Sequence, residues 1–392
     1  MTGPFRFNFM HFMHYVHLPE NHKDYKSLWV DFSNRHYDPH KGYTLYQRYI
    51  KELALADELG YDAVVLNEHH NTVYSMMANP NLIAALILPQ IKRAKICVWG
   101  VPPNLTYPNR LAEEYAMLDV LSQGRLEVAF PLGTGMEYWA NPINPTTARA
   151  RHRESIKIIL QAWTQDGPTK HFGDFYSYRF LNPWPRPWQR PHPPCYIVGT
   201  GSPETVELAA ELGFGYSAVF IPRSKAIDLN NRLRARALDF GHEMRPDQFP
   251  ILAMVYVADT EEEARREFIP HMRYFFEDAA RTIPQYLAPP GYLSVSELKA
   301  RAAYADKMHG SFDFEATRAN SFVAVGTPEQ VANTLGEWAH MMKSNHFNLN
   351  LHLGDQPHWK TVKNLTLFAQ EVIPRLNRRG ISAAAAPKAQ NV

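Results

Sequence analysis

Cysteine is nearly absent from this chain: two residues, Cys97 and Cys195, in 392. Each stands inside an apolar, strand-like run, so a disulfide framework is excluded and both read as buried core thiols. No uninterrupted apolar run approaches the ~20 residues that a membrane span requires. An excess of one charge is lacking too. Lysine and arginine number 41 against 39 acids, a net of +2, and no run of like charges forms a basic arm. That balance gives nucleic acid no electrostatic footprint. Met1-Thr2-Gly3-Pro4 has no charged region leading into an apolar one, so no secretory signal is visible and a cytoplasmic location is expected. Neither an internal repeat nor a break in composition marks a second domain.

What is present is apolar residue in quantity, 45% of the chain, and 30 prolines that cluster between elements and imply elaborate loops. Short β-branched runs alternate with stretches of helical spacing. Strands are expected over residues 5–10, 63–66, 94–99, 126–130, 195–198, 216–220, 251–258 and 346–351. Helices are expected over 43–59, 81–91, 108–121, 151–163, 203–212, 260–280, 328–342 and 359–376, with a hairpin at 171–179. A surface insertion should occupy 282–320. Low polarity inside the strands suits parallel strands covered on both faces. Eight strands alternating with helices predict an α/β fold, a single (β/α)8 TIM barrel with loop insertions over residues 1–379, followed by a disordered tail over 380–392.

In such a barrel the loops after the strands' C-terminal ends build the site. The most informative one follows Ala63-Val64-Val65-Leu66, which runs straight into Asn67-Glu68-His69-His70. Sequence order brings four further groups to that rim: His11, His14 and His17; Trp99 to Asn104; Pro131 to Tyr138; and Gly199 to Ser202. A histidine at 69, poised near neutral pH, either steers protons at a reacting atom or fills the core. Gly199-Thr200-Gly201-Ser202, between a strand and a helix starting at Pro203, is either an ordinary turn or a phosphate cradle. Gly133-Thr134-Gly135 permits backbone to approach a ligand closely. Asn67 and Asn104 could bond a ligand's polar edge or cap backbone. The three histidines at 11, 14 and 17 have no carboxylate at a telling distance, so no metal is assigned.

The chain resembles the bacterial luciferase-like family of flavin-dependent monooxygenases. The resemblance rests on Gly60-Tyr61-Asp62-Ala63-Val64-Val65 leading into Glu68-His69-His70, and on Tyr107-Pro108-Asn109-Arg110-Leu111-Ala112-Glu113-Glu114 followed by Leu118-Asp119-Val120-Leu121-Ser122-Gln123-Gly124-Arg125. It continues through Pro194 to Ser202 into Ala209-Ala210-Glu211-Leu212-Gly213, and ends on Val325-Gly326-Thr327-Pro328-Glu329.

The resemblance implies a two-component FMN-dependent monooxygenase. Reduced FMN and O2 would be co-substrates and would react through a flavin peroxide to oxygenate a small apolar or aromatic compound. Matched residue by residue, His69 would be catalytic. Asn67, Trp99, Gly100, Asn104, Gly133, Thr134, Gly199, Thr200, Gly201 and Ser202 would bind the cofactor, with the phosphate at Gly199–Ser202. Trp99-Gly100 matches a non-prolyl cis peptide of the family. Leu132 departs from it: light-emitting members carry a phosphate-gripping arginine there, for which Arg149 or Arg153 could substitute. No Gly-x-Gly-x-x-Gly unit for a nicotinamide is seen, so a separate NAD(P)H-dependent reductase is expected, and a homodimer is common among relatives. Rival readings are a deazaflavin-dependent hydride transferase on the same barrel, a metal-dependent hydrolase, and a flavin-binding protein without turnover.

Overall fold

The computed structural model describes residues 4–293 and 312–384. Its strands are β1 (Arg6–His11), β2 (Ala63–Leu66), β3 (Lys95–Trp99), β4 (Leu126–Ala129), β5 (Thr169–Phe172), β6 (Ser177–Leu181), β7 (Cys195–Gly199), β8 (Gly215–Ala218), β9 (Ile251–Val257), β10 (Val323–Gly326) and β11 (His346–Asn350). Nine of them form one parallel sheet in the order β10-β9-β11-β1-β2-β3-β4-β7-β8, while β5 and β6 pair as an antiparallel hairpin. Between the strands run α1 (Pro39–Glu58), α2 (Pro80–Ile87), α3 (Pro108–Leu121), α4 (Glu137–Ala140), α5 (Ala148–Thr164), α6 (Pro203–Leu212), α7 (Arg223–Asp239), α8 (Glu261–Tyr274), α9 (Pro284–Leu287), α10 (Phe314–Asn320), α11 (Pro328–Met342) and α12 (His358–Leu367). The chain continues helical from α12 to Ala384.

All eight expected strands form, and the outcome departs from expectation in four places. A ninth strand, β10, lies beyond the expected insertion and pairs with the second half of β9, Val323 opposite Met254. Helix α7 was not anticipated. The expected insertion contains the short helices α9 and α10, and residues 294–311 lie outside the described ones. Of the expected tail, residues 380–384 continue the last helix and 385–392 lie outside the described residues.

The strand order is that of a barrel, but the ladder is open at one seam. No strand pairing joins β8 to β9 among the described residues; a side-chain bond, Ser217 Oγ to Pro250 O at 3.1 Å, crosses there. β9 serves two partners because its edges are used in turn. Ile251–Met254 pairs with β11 on one edge, and β10 takes the other edge from Met254 onward. Where β11 ends, the Asn364 side chain replaces it, accepting from Val257 N at 2.9 Å and donating to Val255 O at 2.7 Å. That substitution leaves no buried strand polar group without a partner at this point.

Strand residues alternate between two apolar layers. Phe7, Val64, Val98, Val128, Ile197 and Phe347 pack under the helices, whereas Met10, Val65, Trp99, Ala129, Tyr196 and Met254 face inward. The inward positions are more polar than the strand composition suggested. At the N-terminal end Arg6 meets Glu127 at 3.0 Å and Lys95 meets it at 2.6 Å, beside Asn8, which bonds Asn348 at 2.9 Å. Burial pushes the Glu127 carboxyl up, but Arg6 and Lys95 outweigh it and bring it down to about 2. Paired charges thus fill this end. The opposite end is where the long loops gather.

Candidate active site

Every strand of the sheet is parallel, so the segments after Leu66, Trp99, Ala129 and Gly199 emerge on one rim. On it, His69 Nδ1 lies 2.9 Å from Glu137 Oε1. The carboxylate is 2% exposed and comes from α4, which Gly135 and Met136 carry in behind the β4 loop. An ionised carboxylate only accepts, so Nδ1 carries the proton and the lone pair rests on Nε2. Trp29 stands 5.4 Å from the His69 ring and Tyr74 meets it edge-on at 4.9 Å. Phe12 and Phe275 extend this aromatic wall around Tyr74. His70 pairs with Glu68 instead, at 3.0 Å; that bond raises the imidazole's pKa, while burial raises the Glu68 carboxyl.

The remaining expected residues divide by what already holds them. Asn67 is 3% exposed and neither atom of its amide has a hydrogen-bond partner. Trp99 faces inward with its ring 4.6 Å from Tyr196 and its indole N–H unpartnered. The Trp99–Gly100 peptide is cis, as the resemblance implies. A Cβ on Gly100 would stand 2.0 Å from Ala129 O, so the backbones of the β3 and β4 ends touch there and admit glycine alone. Asn104 is partly committed: its Nδ2 donates to Tyr138 OH at 2.7 Å and to Leu132 O at 3.2 Å, tying the β3 loop to the β4 loop, while Oδ1 is unpartnered. Gly133 has φ +88, and Thr134 carries a buried, unpartnered hydroxyl.

The turn after β7 is formed as expected, with its donors partly engaged. Gly201, at φ +86, gives its N–H to Tyr216 OH at 3.0 Å. Ser202 caps α6 by accepting from Thr205 N at 3.4 Å, and Thr200 is exposed. Beside this turn a cleft of about 580 Å³ opens between the starts of α5 and α6, bordered by Leu132, Arg149, Arg153 and Thr205.

His11 and His14 are buried, and His11 joins a cluster that sequence spacing did not reveal. His11, Glu52 and His352 bring their ligating atoms within 4.8 Å of one another. Glu52 accepts from His11 Nε2 at 2.9 Å, Arg48 Nε at 2.9 Å and His358 Nδ1 at 2.8 Å. The backbone N–H of Met13 donates to His11 Nδ1 at 2.9 Å, which puts that ring's proton on Nε2. In this tautomer His11 has no lone pair facing the carboxylate, and the side chains form a hydrogen-bond network centred on the Glu52 charge. Cys97 and Cys195 are buried free thiols.

Sequence reasoning missed Glu137, Trp29 and Tyr74. Glu137 stood in a loop already expected at the rim, but nothing local ties it to a histidine 68 positions earlier.

Residues 28–343 match the luciferase-like monooxygenase family, and the chain belongs to that family. Among curated relatives, the oxygenase component of the flavin-dependent trigonelline monooxygenase of Acinetobacter baylyi is 28% identical over 309 residues, covering 74% of this chain and 79% of that protein. The oxygenating constituent of 3,6-diketocamphane monooxygenase from Pseudomonas putida, solved with FMN, superposes with a TM-score of 0.73 at 20% identity over 95% of this chain and 99% of the other. The coenzyme F420 dependent tetrahydromethanopterin reductase of Methanopyrus kandleri has the same fold at a TM-score of 0.63 and 16% identity, covering 95% and 100%. No helix of the described residues is long and apolar enough to cross a membrane.

Proposed function

We propose that this chain is the oxygenase component of a two-component, FMN-dependent monooxygenase. Reduced FMN and O2 are its co-substrates, and a separate NAD(P)H-dependent flavin reductase supplies the reduced flavin. The observation that carries this reading is one shared rim. The His69–Glu137 pair, the unpartnered Asn67 amide and the Gly199–Ser202 turn all follow C-terminal ends of strands in the same parallel sheet. A buried amide left unpaired costs about 1–3 kcal/mol, and the alternating donors and acceptors along an isoalloxazine edge suit it.

Bound reduced FMN supplies the two electrons with which O2 is activated. The chain's own residues do the rest. His69, its Nδ1–H held by Glu137, offers Nε2 to hold or move a proton at the reacting oxygen. Asn67 and Asn104 Oδ1 would hold the ring's polar edge. Trp99 and Gly100 would offer it an apolar face and a close backbone, and Gly133 and Thr134 would approach it from the β4 loop. Gly199, Thr200, Gly201 and Ser202 would hold the phosphate at the N-terminus of α6. Phe12, Trp29, Tyr74 and Phe275 exclude water and favour a small apolar or aromatic substrate.

Two finer points belong to the same reading. The eight strands other than β10 take the arrangement of a (β/α)8 barrel, with β8 and β9 joined by the Ser217–Pro250 bond in place of a ladder. Two copies associate through α2 and α3, whose Leu82, Leu86, Met117 and Leu121 are exposed on neighbouring helices.

The test supplies photoreduced FMN and air to the purified protein with a panel of aromatic and N-heterocyclic compounds, trigonelline included, and follows product masses. A product heavier by one oxygen is expected. Oxidation of a substrate with a reduced deazaflavin as product, in the absence of air, would establish the rival hydride-transfer reading instead.

A further inference from the structure

We propose that Lys360 is a site of covalent modification, acylated on Nζ by small, uncharged thioesters with His271 as the general base. The inference rests on a cluster that shares no residue with the flavin site, and it does not depend on that reading. Three elements build it. His271 stands on the last turn of α8, Lys360 on the first turn of α12, and Asp355 in the loop that joins β11 to α12. Asp355 Oδ1 lies 2.7 Å from His271 Nδ1, and Lys360 Nζ lies 3.0 Å from His271 Nε2. An ionised carboxylate only accepts, so Nδ1 carries the proton and the Nε2 lone pair faces the amine. Carboxylate, imidazole and nucleophile thus stand in sequence, the order that activates a hydroxyl in hydrolytic triads.

Lys360 is set apart by its uncharged partners. Nζ donates to Glu267 O at 2.9 Å and to the imidazole, while the neighbouring carboxylates of Glu263 and Glu267 hold Lys363 instead, at 2.7 and 2.8 Å. Burial lowers the Lys360 ammonium's pKa against the pull of Glu267 and Asp355, and Lys363 adds to the lowering. Trp359 is 56% exposed with its ring centre 5.6 Å from Nζ, which gives an acyl group an apolar surface. Glu263, Glu267 and Asp355 outnumber Lys363 once Lys360 is neutral; that balance repels acyl phosphates and favours an uncharged donor. In the reaction, one ammonium proton leaves to water through His271. The freed lone pair attacks the thioester carbonyl carbon. A second proton passes to Nε2 as the C–N bond forms, and reaches the departing thiolate as the C–S bond breaks. The third proton stays on the amide, and no oxidant or reductant is needed.

The experiment incubates the full chain with a limiting amount of S-acetyl-N-acetylcysteamine near neutral pH and follows each lysine by peptide mass spectrometry. Lys360 should be acetylated roughly tenfold faster than Lys363, and acetyl phosphate should show no such preference. H271Q should slow Lys360 by roughly tenfold while Lys363 changes less than about twofold. D355A should slow Lys360 as well, and D355N, whose amide oxygen still accepts from Nδ1, should keep most of the rate. Far-UV circular dichroism and melting curves check that each variant is folded. Wild-type Lys360 labelled no faster than Lys363, or a Lys360 rate unchanged in folded H271Q, overturns the proposal. A preference for Lys360 shown with acetyl phosphate alone overturns the choice of donor.

Discussion

His69 Nδ1 and Glu137 Oε1 are 2.9 Å apart, and their pairing joins the loop after β2 to the short helix after β4. The contact fixes which imidazole nitrogen bears the proton and which way the ring faces. Removing the imidazole should therefore differ from removing its partner. H69A should lower product formed per flavin oxidised by roughly a hundredfold, with hydrogen peroxide released instead, while FMN affinity stays within several-fold. E137A should leave the imidazole in place but lose the fixed tautomer, and E137Q, whose amide oxygen still accepts, should retain it. Nitrogen-15 chemical shifts of the His69 ring read this directly. Identical tautomer populations in wild type and E137A would remove Glu137 from its positioning role.

Gly100 touches the β4 backbone. A methyl group there would meet Ala129 O at 2.0 Å and Val98 O at 2.8 Å, neither of which is the free end of a side chain. G100A should cost at least the roughly 1–3 kcal/mol typical of overpacking and weaken flavin binding along with it. Urea denaturation and flavin titration check both. An unchanged midpoint would mean that the ends of β3 and β4 are further apart than described.

Acid should destabilise the fold through its buried imidazoles. Burial pulls His152, His346 and His352 down to about 4, against 6.5 for the free side chain. Between those values the unfolded chain binds protons that the folded chain refuses, so stability falls as pH drops from 6.5 towards 4. The slope reaches about 1.4 kcal/mol per pH unit for each histidine. Glu127, held at about 2 by Arg6 and Lys95 against 4.5 when free, adds its own loss as pH falls from about 4.5 to 2. H152Q still offers a donor to Phe130 O and should flatten the slope by one proton's share. A stability that is level from pH 7 to 5 would contradict these burials.

The charge pair at the closed end of the sheet should matter for stability and not for chemistry. E127Q strands Arg6, whose side chain is only 18% exposed, and should cost about 3 kcal/mol. FMN affinity should hold within a factor of about two. A large loss of affinity with little loss of stability would place that end in contact with the cofactor.

Chelation offers a fifth check, on the His11–Glu52–His352 cluster. Because Met13 N–H fixes the proton of His11 on the nitrogen facing Glu52, EDTA dialysis should leave melting temperature and activity unchanged. Loss of either, restored by a divalent ion, would show that the ring is turned over and ligates.

Much of the fold was legible because apolar runs and glycine or proline stops repeat with short periods. α3, α6 and α11 begin at Pro108, Pro203 and Pro328, where proline suits the first helical position, and their limits were readable to the residue. α7 was hidden by its charges. Its buried face is only Ala226, Leu229, Asn230, Leu233 and Ala237, set among arginines. β10 escaped because its four residues, Val323–Gly326, follow the expected insertion, whereas the equally short β2 follows an expected helix that frames it. At the rim, His69, Trp99 and the Gly199–Ser202 turn each carry a local signal. Glu137 carries none, since a carboxylate's partner is set by how distant loops fold over one another. The polar inward set of Asn8, Glu127 and Asn348 was masked for a related reason: each sits between two apolar neighbours in its strand, and its partners lie on other strands.

The most direct test of the central claim is the origin of the oxygen in the product. Turnover of a substrate from the panel with reduced FMN under oxygen-18 gas, followed by mass spectrometry, should place one labelled atom in each product molecule and none from water. Product without label, or substrate oxidised by loss of two hydrogens with no oxygen gained, would contradict it.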